Sequence, residues 1–427
     1  MIPGLLPGPR SDLRATVDVP PSKSLTNRAL VAAAAAGGGT VVSPLDCGDT
    51  RILAAALAEA GWRVEWHEDI EVGERTLPPG QVRLDLGDSG TGARLILGLL
   101  AASPGRCTID GSPRLRERPL RQLLHPLQDL GAELREENGR LPVIVEGRSL
   151  AGGTVTVRPM VSSQFVSSLL MAAPLMRHGL TLQVEGPLPS TPYLDLTEDV
   201  LRAFGGEVTS SADRRRWQVA PVPLRPSRFP VEGDWSAAAF VVAAVAVAGG
   251  SVDLGPLDLR SRQGDRAVLG MLSRAGLDIE EKTDRLRVLG PARAPLVADL
   301  GDSPDLFPAL VVVGAAGPPG SRFSGLDHLQ HKESNRLAVM VDNLQRLGAR
   351  VRVSGSSLSI DAPMRREPDI QRAVTAAGDH RIAMAMAVAA LAAGPLELDD
   401  PSCVAKSFPG FWDMWDRLFE QRERGGA

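Results

Sequence analysis

One short pattern recurs five times along this chain: the end of a helix, a glycine, then a strand. It appears as LAEAGWRV (57–64), LQDLGAEL (127–134), LRAFGGEV (201–208), LSRAGLDI (272–279) and LQRLGARV (344–351). The glycines are Gly61, Gly131, Gly205, Gly276 and Gly348, spaced by 70, 74, 71 and 72 residues. Glycine suits the left-handed residue that ends a helix, so each copy has a local reason to exist. One copy says little, but five at one period identify an array of repeats. A sixth falls near residue 420, where FWDMWDRLF reads as a last helix.

A second series runs in step with the first. Its members are Ser22-Lys23-Ser24, Asp88-Ser89, Ser162-Ser163, Asp234, Asp302-Ser303 and Asp379-His380. Each is a polar helix-start signal followed by small apolar residues. Each repeat therefore holds two helices, one opened by this signal and one closed by the glycine. Segments such as TVTVRP (154–159) and RLRVLG (285–290) read as strands between them. Six units suggest two domains of three, dividing near PVEGD (230–234) after the Pro-rich stretch VAPVPLRPSRFP. A chain of 427 residues is also too long for one ordinary core.

Composition excludes several classes. The chain is 43% hydrophobic and 23% charged, as globular proteins are. Its net charge is −4 with basic residues scattered, which argues against a nucleic-acid protein. Cys47, Cys107 and Cys403 are far apart with no CxxC pair, so neither a disulfide framework nor a zinc knuckle is expected, and a reducing cytoplasm fits. The N-terminus lacks the features of a signal peptide. The longest apolar runs, 237–248 and 382–393, are shorter than the roughly 18 residues of a spanning helix and read as buried helices.

The chemistry-bearing residues sit at the helix starts. PPSKSLTNRAL (20–30) places Lys23 and Arg28 where free N–H groups already favour anions. LGDSGTGARLILGLL (86–100) opens with three glycines, at 87, 90 and 92, and carries Arg94, without the signature of a Rossmann turn or a P-loop. PRLRERPL (113–120) sets Arg114, Arg116 and Arg118 at alternate positions, which share one face if the segment is extended. VSSQF (161–165) brings Ser162, Ser163 and Gln164, suited to hydroxyls and phosphate. HKESNRL (331–337) places Lys332, Glu333 and Arg336 together, with Lys332 and Arg336 expected on one helical face, where two cations repel unless an anion lies between. DSPD (302–305), GDHRIAMAMAV (378–388) and CVAKSFPGF (403–411) add Asp305, His380, Arg381 and Lys406. His328 and His331 are three apart, but nothing completes a metal site around them. So many cations in an acidic chain suit substrates carrying several negative charges, with Asp305 and Glu333 available for proton transfer.

Taken together, PSKSLTNRAL, GDSGTGAR, PRLRERP, SSQF, SPD, HKESNRL, GDHRIAMA and AKSFPGF resemble the 5-enolpyruvylshikimate-3-phosphate synthase family, in order and from Pro21 to Phe411. The resemblance implies an α/β fold of two inside-out barrel domains. Each would contain three βαβαββ units, with buried helices and outer sheets. The chain would cross between domains twice, giving one domain of residues 21–231 and another of 1–20 plus 232–427, with the active site in the cleft. It implies that shikimate 3-phosphate is held by Lys23, Ser24, Arg28, Ser162, Ser163, Gln164, Ser190, Tyr193, Asp305, His328 and Lys332. Phosphoenolpyruvate would meet Lys23, Gly90, Arg118, Gln164, Arg336, Arg381 and Lys406. The family reaction adds the 5-hydroxyl to phosphoenolpyruvate and then eliminates phosphate, with no cofactor or metal. Lys23, Asp305, Lys332 and Glu333 would be the catalytic residues, Glu333 as acid and Asp305, with Lys332, as base. A cytoplasmic monomer is expected.

Four positions depart from the family pattern. Asp88 and His328 stand where Asn is usual, and Gln330 and Leu95 replace a frequent Arg and Pro. The charge at Asp88 should weaken anion binding unless it is paired, with Arg94 the candidate. Gly90 leaves room for the inhibitor glyphosate in the family, so sensitivity is expected. Three alternatives remain: the sister enzyme acting on UDP-N-acetylglucosamine, whose loop cysteine PRLRERP lacks; transfer to another polyol phosphate; and a catalytically dead anion-binding homologue.

Overall fold

The computed structural model describes residues 4–158 and 161–419. Pro159, at the end of the expected strand 154–159, lies outside them, as do residues 1–3 and 420–427 of the expected second domain. The chain forms two compact units, Pro21–Val231 and the residues up to Pro20 together with those from Glu232 onward. Each unit has its own hydrophobic core.

The repeat is clearest in its second copy. Strands Gln81–Asp85 and Gly105–Asp110 pair in parallel, joined by helix Gly90–Ala101. Helix Arg121–Asp129 follows. The hairpin Glu133–Glu137 and Arg140–Gly147 then completes the sheet, Arg140–Gly147 running antiparallel to Gly105–Asp110. Five such four-stranded sheets are described. All five period glycines sit at positive φ, from 81° at Gly205 to 104° at Gly61. A Cβ on Gly61 would lie 2.1 Å from the Thr76 carbonyl oxygen, so that position excludes any side chain.

The first repeat of each unit takes a strand from a distant part of the chain. Gly39–Val42 pairs in parallel with Arg228–Pro230. Leu13–Asp18, which precedes the first repeat, pairs instead with Gly250–Gly255. The backbone is pinned beside both crossings: Val231 N donates to Val42 O at 3.0 Å, and Asp234 N donates to Pro20 O at 2.8 Å. The sixth repeat departs from the expected βαβαββ pattern. Its strands Arg372–Val374 and Leu396–Leu398 are joined by Leu5–Leu6 in a three-stranded sheet, and no closing hairpin is found among the described residues.

Three helices pack on one another in each unit: Lys23–Ala35, Gly90–Ala101 and Gln164–Ala172 in one, and Trp235–Ala248, Phe307–Ala316 and His380–Ala393 in the other. They are apolar on nearly every side because nearly every side is buried. Close approach is built in at Gly98, where a Cβ would sit 2.7 Å from the Ser168 carbonyl oxygen. The N-termini of these helices carry the candidate residues. Side-chain caps form at Ser89, Asp234 and Asp379, but not at Ser22, Ser163 or Ser303. No helix among the described residues is long and apolar enough to cross a membrane.

Candidate active site

The candidate residues fall into two groups, one in each unit. In Pro21–Val231, Lys23 is the first residue of helix Lys23–Ala35 and is buried. Its Nζ donates to Asp49 Oδ2 at 3.0 Å. Arg28, a turn and a half on, is 1% exposed. It donates to Thr197 Oγ1 (2.9 Å), Ser24 O (3.0 Å), Ser167 Oγ (3.3 Å) and Tyr193 O (3.2 Å). Every one of these acceptors is neutral. Burial pushes the Arg28 pKa down to about 10, against the opposing pull of Tyr193. A buried guanidinium held only by neutral acceptors is a strong attractor for an anion.

Ser190 lies close by in the left-handed region at φ 59°, unusual for a residue with a Cβ and strained by about 1–3 kcal/mol. Its carbonyl accepts from Tyr193 N at 3.2 Å, fixing the turn that starts helix Pro192–Ala203. Gln164 bridges two elements, accepting from Arg94 Nη1 at 2.6 Å and donating to Thr91 Oγ1 at 2.9 Å. Ser162 Oγ accepts from Gln164 N at 3.2 Å, and Ser163 is buried.

The extended arrangement that would put the three arginines of PRLRERPL on one face does not form. Ser112 caps the short helix Pro113–Glu117, which has Pro at its first turn, so the three arginines diverge. Arg114 pairs with Glu117 and Arg116 with Asp110. Only Arg118 turns inward, 7% exposed, against Gly90. A Cβ on Gly90 would lie 2.3 Å from Arg118 Nη1 and 2.8 Å from Cζ. Gly90→Ala is therefore expected to displace the guanidinium, weakening anion binding at Arg118 about tenfold while thermal stability changes little. Steady-state kinetics together with a melting curve check both parts. Asp88 is exposed and accepts from the Ser112 hydroxyl, and Arg94 Nη1 donates to Gln164.

The second group is a charge network around Arg336, which is 0% exposed. Arg336 Nη1 donates to Asp305 Oδ1, Nη2 to Glu333 Oε2 and Nε to Asp379 Oδ2, each at 2.9 Å. Arg381 Nη2 pairs with Asp305 Oδ2 at 2.9 Å, Lys332 Nζ with Asp305 Oδ1 at 3.9 Å, and Lys406 Nζ with Glu333 Oε1 at 4.0 Å. Burial opposes charge on Arg336, but Asp379, Asp305 and Glu333 outweigh it and raise its pKa. Burial likewise works against the Asp305 carboxylate, yet Arg381, Lys332 and Arg336 hold its pKa well below the usual carboxylate range.

Lys332 is not on the helix with Arg336. It follows the turn Asp327–His331, and the helix begins at Arg336. The anion expected between these two cations is supplied by the protein itself, as Asp305. His328 is 5% exposed, and its Nε2 has no hydrogen-bond partner among the described residues. Burial and Lys332 push its pKa down to about 3, so it is a neutral imidazole at working pH. Gln330 is exposed, with Nε2 donating to Asp327 O at 3.2 Å, and Leu95 is core.

Sequence reasoning missed three carboxylates. Asp379 was read only as a helix cap; it does cap, accepting from Arg381 N at 3.0 Å, but it also grips Arg336. Asp49 and Asp265 lay in no recognised pattern.

The EPSP synthase (3-phosphoshikimate 1-carboxyvinyltransferase) family model matches residues 7–415. The chain belongs to the EPSP synthase family. A 3-phosphoshikimate 1-carboxyvinyltransferase of Syntrophobacter fumaroxidans is 38% identical over 420 residues, covering 96% of this chain and 98% of that protein. One from Methanoculleus marisnigri is 39% identical over 409 residues, covering 93% and 95%. EPSP synthase from Acinetobacter baumannii superposes with a TM-score of 0.78 at 25% identity, covering 97% of each chain. The enolpyruvyl transferase NikO from Streptomyces tendae shares the fold, with a TM-score of 0.77 at 19% identity. Membership in the EPSP synthase family thus spans both units and both groups of candidate residues.

Proposed function

We propose that this chain transfers the enolpyruvyl group of phosphoenolpyruvate to the 5-hydroxyl of shikimate 3-phosphate, releasing phosphate. The observation that carries the reading, within an EPSP synthase chain, is that one buried guanidinium, Arg336, holds both Asp305 and Glu333 at 2.9 Å. A candidate base and a candidate acid are thereby fixed by a single rigid fork.

In the addition step the 5-hydroxyl oxygen bonds to the second carbon of phosphoenolpyruvate, its proton passes to Asp305, and Glu333 delivers a proton to the methylene carbon. In the elimination step the new methyl group returns a proton to Glu333 as the carbon–oxygen bond to phosphate breaks, and the departing phosphate takes the proton held by Asp305, which restores both carboxyls. Asp305 in its clamped state is a weak base. Anionic groups of phosphoenolpyruvate that draw on Arg336, Arg381 and Lys406 would loosen the clamp and raise the proton affinity of Asp305 as the substrates bind. Shikimate 3-phosphate is assigned to Lys23, Ser24, Arg28, Ser162, Ser163, Gln164, Ser190, Tyr193, Asp305, His328 and Lys332. Phosphoenolpyruvate is assigned to Lys23, Gly90, Arg118, Gln164, Arg336, Arg381 and Lys406. The assignment places the enzyme in the cytoplasm as a monomer, in keeping with its three free cysteines.

A substrate panel read by product mass tests the reading. Enolpyruvyl transfer to shikimate 3-phosphate, and not to UDP-N-acetylglucosamine, is expected; the opposite preference contradicts it. Glyphosate is expected to inhibit, and an inhibition curve flat to millimolar concentration contradicts that expectation.

A further inference from the structure

Asp265 lies in the turn Gly264–Ala267 and is 2% exposed. Its Oδ2 accepts the Ser236 hydroxyl, from the first turn of helix Trp235–Ala248. Its Oδ1 has no hydrogen-bond partner among the described residues. Ser303 Oγ donates to Gly264 O at 2.8 Å, which ties this turn to the segment carrying Asp305. A buried carboxylate with one unsatisfied oxygen is costly when ionised, far more so than the neutral acid.

The charged groups acting on Asp265 come from three elements: Asp305 from the turn Pro304–Leu306, Arg381 from helix His380–Ala393, and Asp234 from the cap of helix Trp235–Ala248. Two are anions and one is a cation, so the surroundings disfavour a charge on Asp265. Burial, then Asp305, pushes its pKa up to about 7, against Arg381 and the Ser236 hydrogen bond. Asp305 is displaced in the opposite direction. Two nearby carboxyls driven apart in this way hold different protonation states below about pH 7.

We propose that Asp265 is a positioning residue for anion binding: its protonated form does not draw on Arg381, which serves Asp305 and an incoming phosphoenolpyruvate, and loss of that proton weakens the site for the substrate. The inference rests on the function proposed above. Ionised Asp265 places a second negative charge near Asp305 and competes for Arg381. Protonated Asp265 does neither.

The test compares wild type with Asp265→Asn, whose neutral amide mimics the protonated acid. The window is about pH 7 to 8.5, above the second ionisation of a phosphate group and below that of lysine. Wild-type KM for phosphoenolpyruvate is expected to rise roughly fourfold across it, because Asp265 is already about half ionised at pH 7 and one unit charge acting over ~12 Å at an effective dielectric near 20 is worth about tenfold in full. kcat is expected to move much less, and the Asp265→Asn profile to stay flat. Ser236→Ala removes the hydrogen bond that favours the ionised form, so its break should move to higher pH. A wild-type profile that is flat, or one that persists in Asp265→Asn, overturns the proposal.

A second readout does not depend on turnover. Because the folded pKa of Asp265 lies above the unfolded value, the native state binds more protons between about pH 4 and 7, and its stability falls as pH rises through that window. The melting temperature of Asp265→Asn relative to wild type should therefore be higher at pH 8 than at pH 5. Parallel melting curves overturn the proposal even if the enzyme turns over. Divergent curves without turnover would uphold the ionisation and count against the reaction instead.

Discussion

Arg336→Lys is expected to lower kcat by about 10³ while retaining the positive charge. Lysine offers a point charge where arginine offers a planar fork, so it cannot hold Asp305, Glu333 and Asp379 in their present geometry. The size of the loss follows from misplacing the proposed acid and the proposed base together, each worth about 10²–10⁴. Arg336→Ala adds a folding defect. It leaves Asp379, whose side chain is 0% exposed, without its guanidinium partner, and breaking a buried pair in this way costs about 3–5 kcal/mol. Denaturant unfolding of both variants separates the effects. Arg336→Lys should remain folded with low kcat, and Arg336→Ala should unfold earlier as well. A lysine variant with kcat within threefold of wild type would contradict the role given to the fork.

Arg28 carries the opposite balance of stability and function. Its four hydrogen bonds go to neutral acceptors, and burial already weighs against its charge. Arg28→Gln is therefore expected to change folding stability by less than ~1 kcal/mol, because the lost bonds are offset by removal of a buried uncompensated cation. Affinity for shikimate 3-phosphate should nevertheless fall by about 2–4 kcal/mol, or roughly 30- to 1,000-fold, if the charge-assisted contact proposed for Arg28 is lost. Calorimetric binding beside a melting curve checks both. A large loss of stability with unchanged affinity would make Arg28 a structural residue instead.

The repeat was legible because its cause is local. A glycine that ends a helix must reach positive φ, and all five period glycines do. The apolar helices were legible from their composition, since a helix buried on all sides needs no polar face. The strand exchange was not legible in the residues themselves and entered only as an implication of the family resemblance: nothing in Leu13–Asp18 announces that it pairs with Gly250–Gly255 and not with the first repeat. Pairing over such separations is decided by which edge is open, not by the strand's own residues. The arginines of PRLRERPL misled for a related reason. Alternate spacing puts side chains on one face only in an extended chain, and the Ser112 cap made this segment a helix. At the site, the cations and the Asp305–Glu333 pair were marked by motif. Asp379 was half seen, because one carboxylate both caps a helix and grips Arg336. Asp265 was invisible, since its significance lies in burial and in the charges around it, which no local pattern encodes.

The most direct measurement is phosphate release from phosphoenolpyruvate by the purified protein, with and without shikimate 3-phosphate, in wild type and Glu333→Gln. Release that requires both substrates and falls at least about 10²-fold in Glu333→Gln is the expected result. No release from wild type, with both ligands shown to bind, would contradict the proposed reaction.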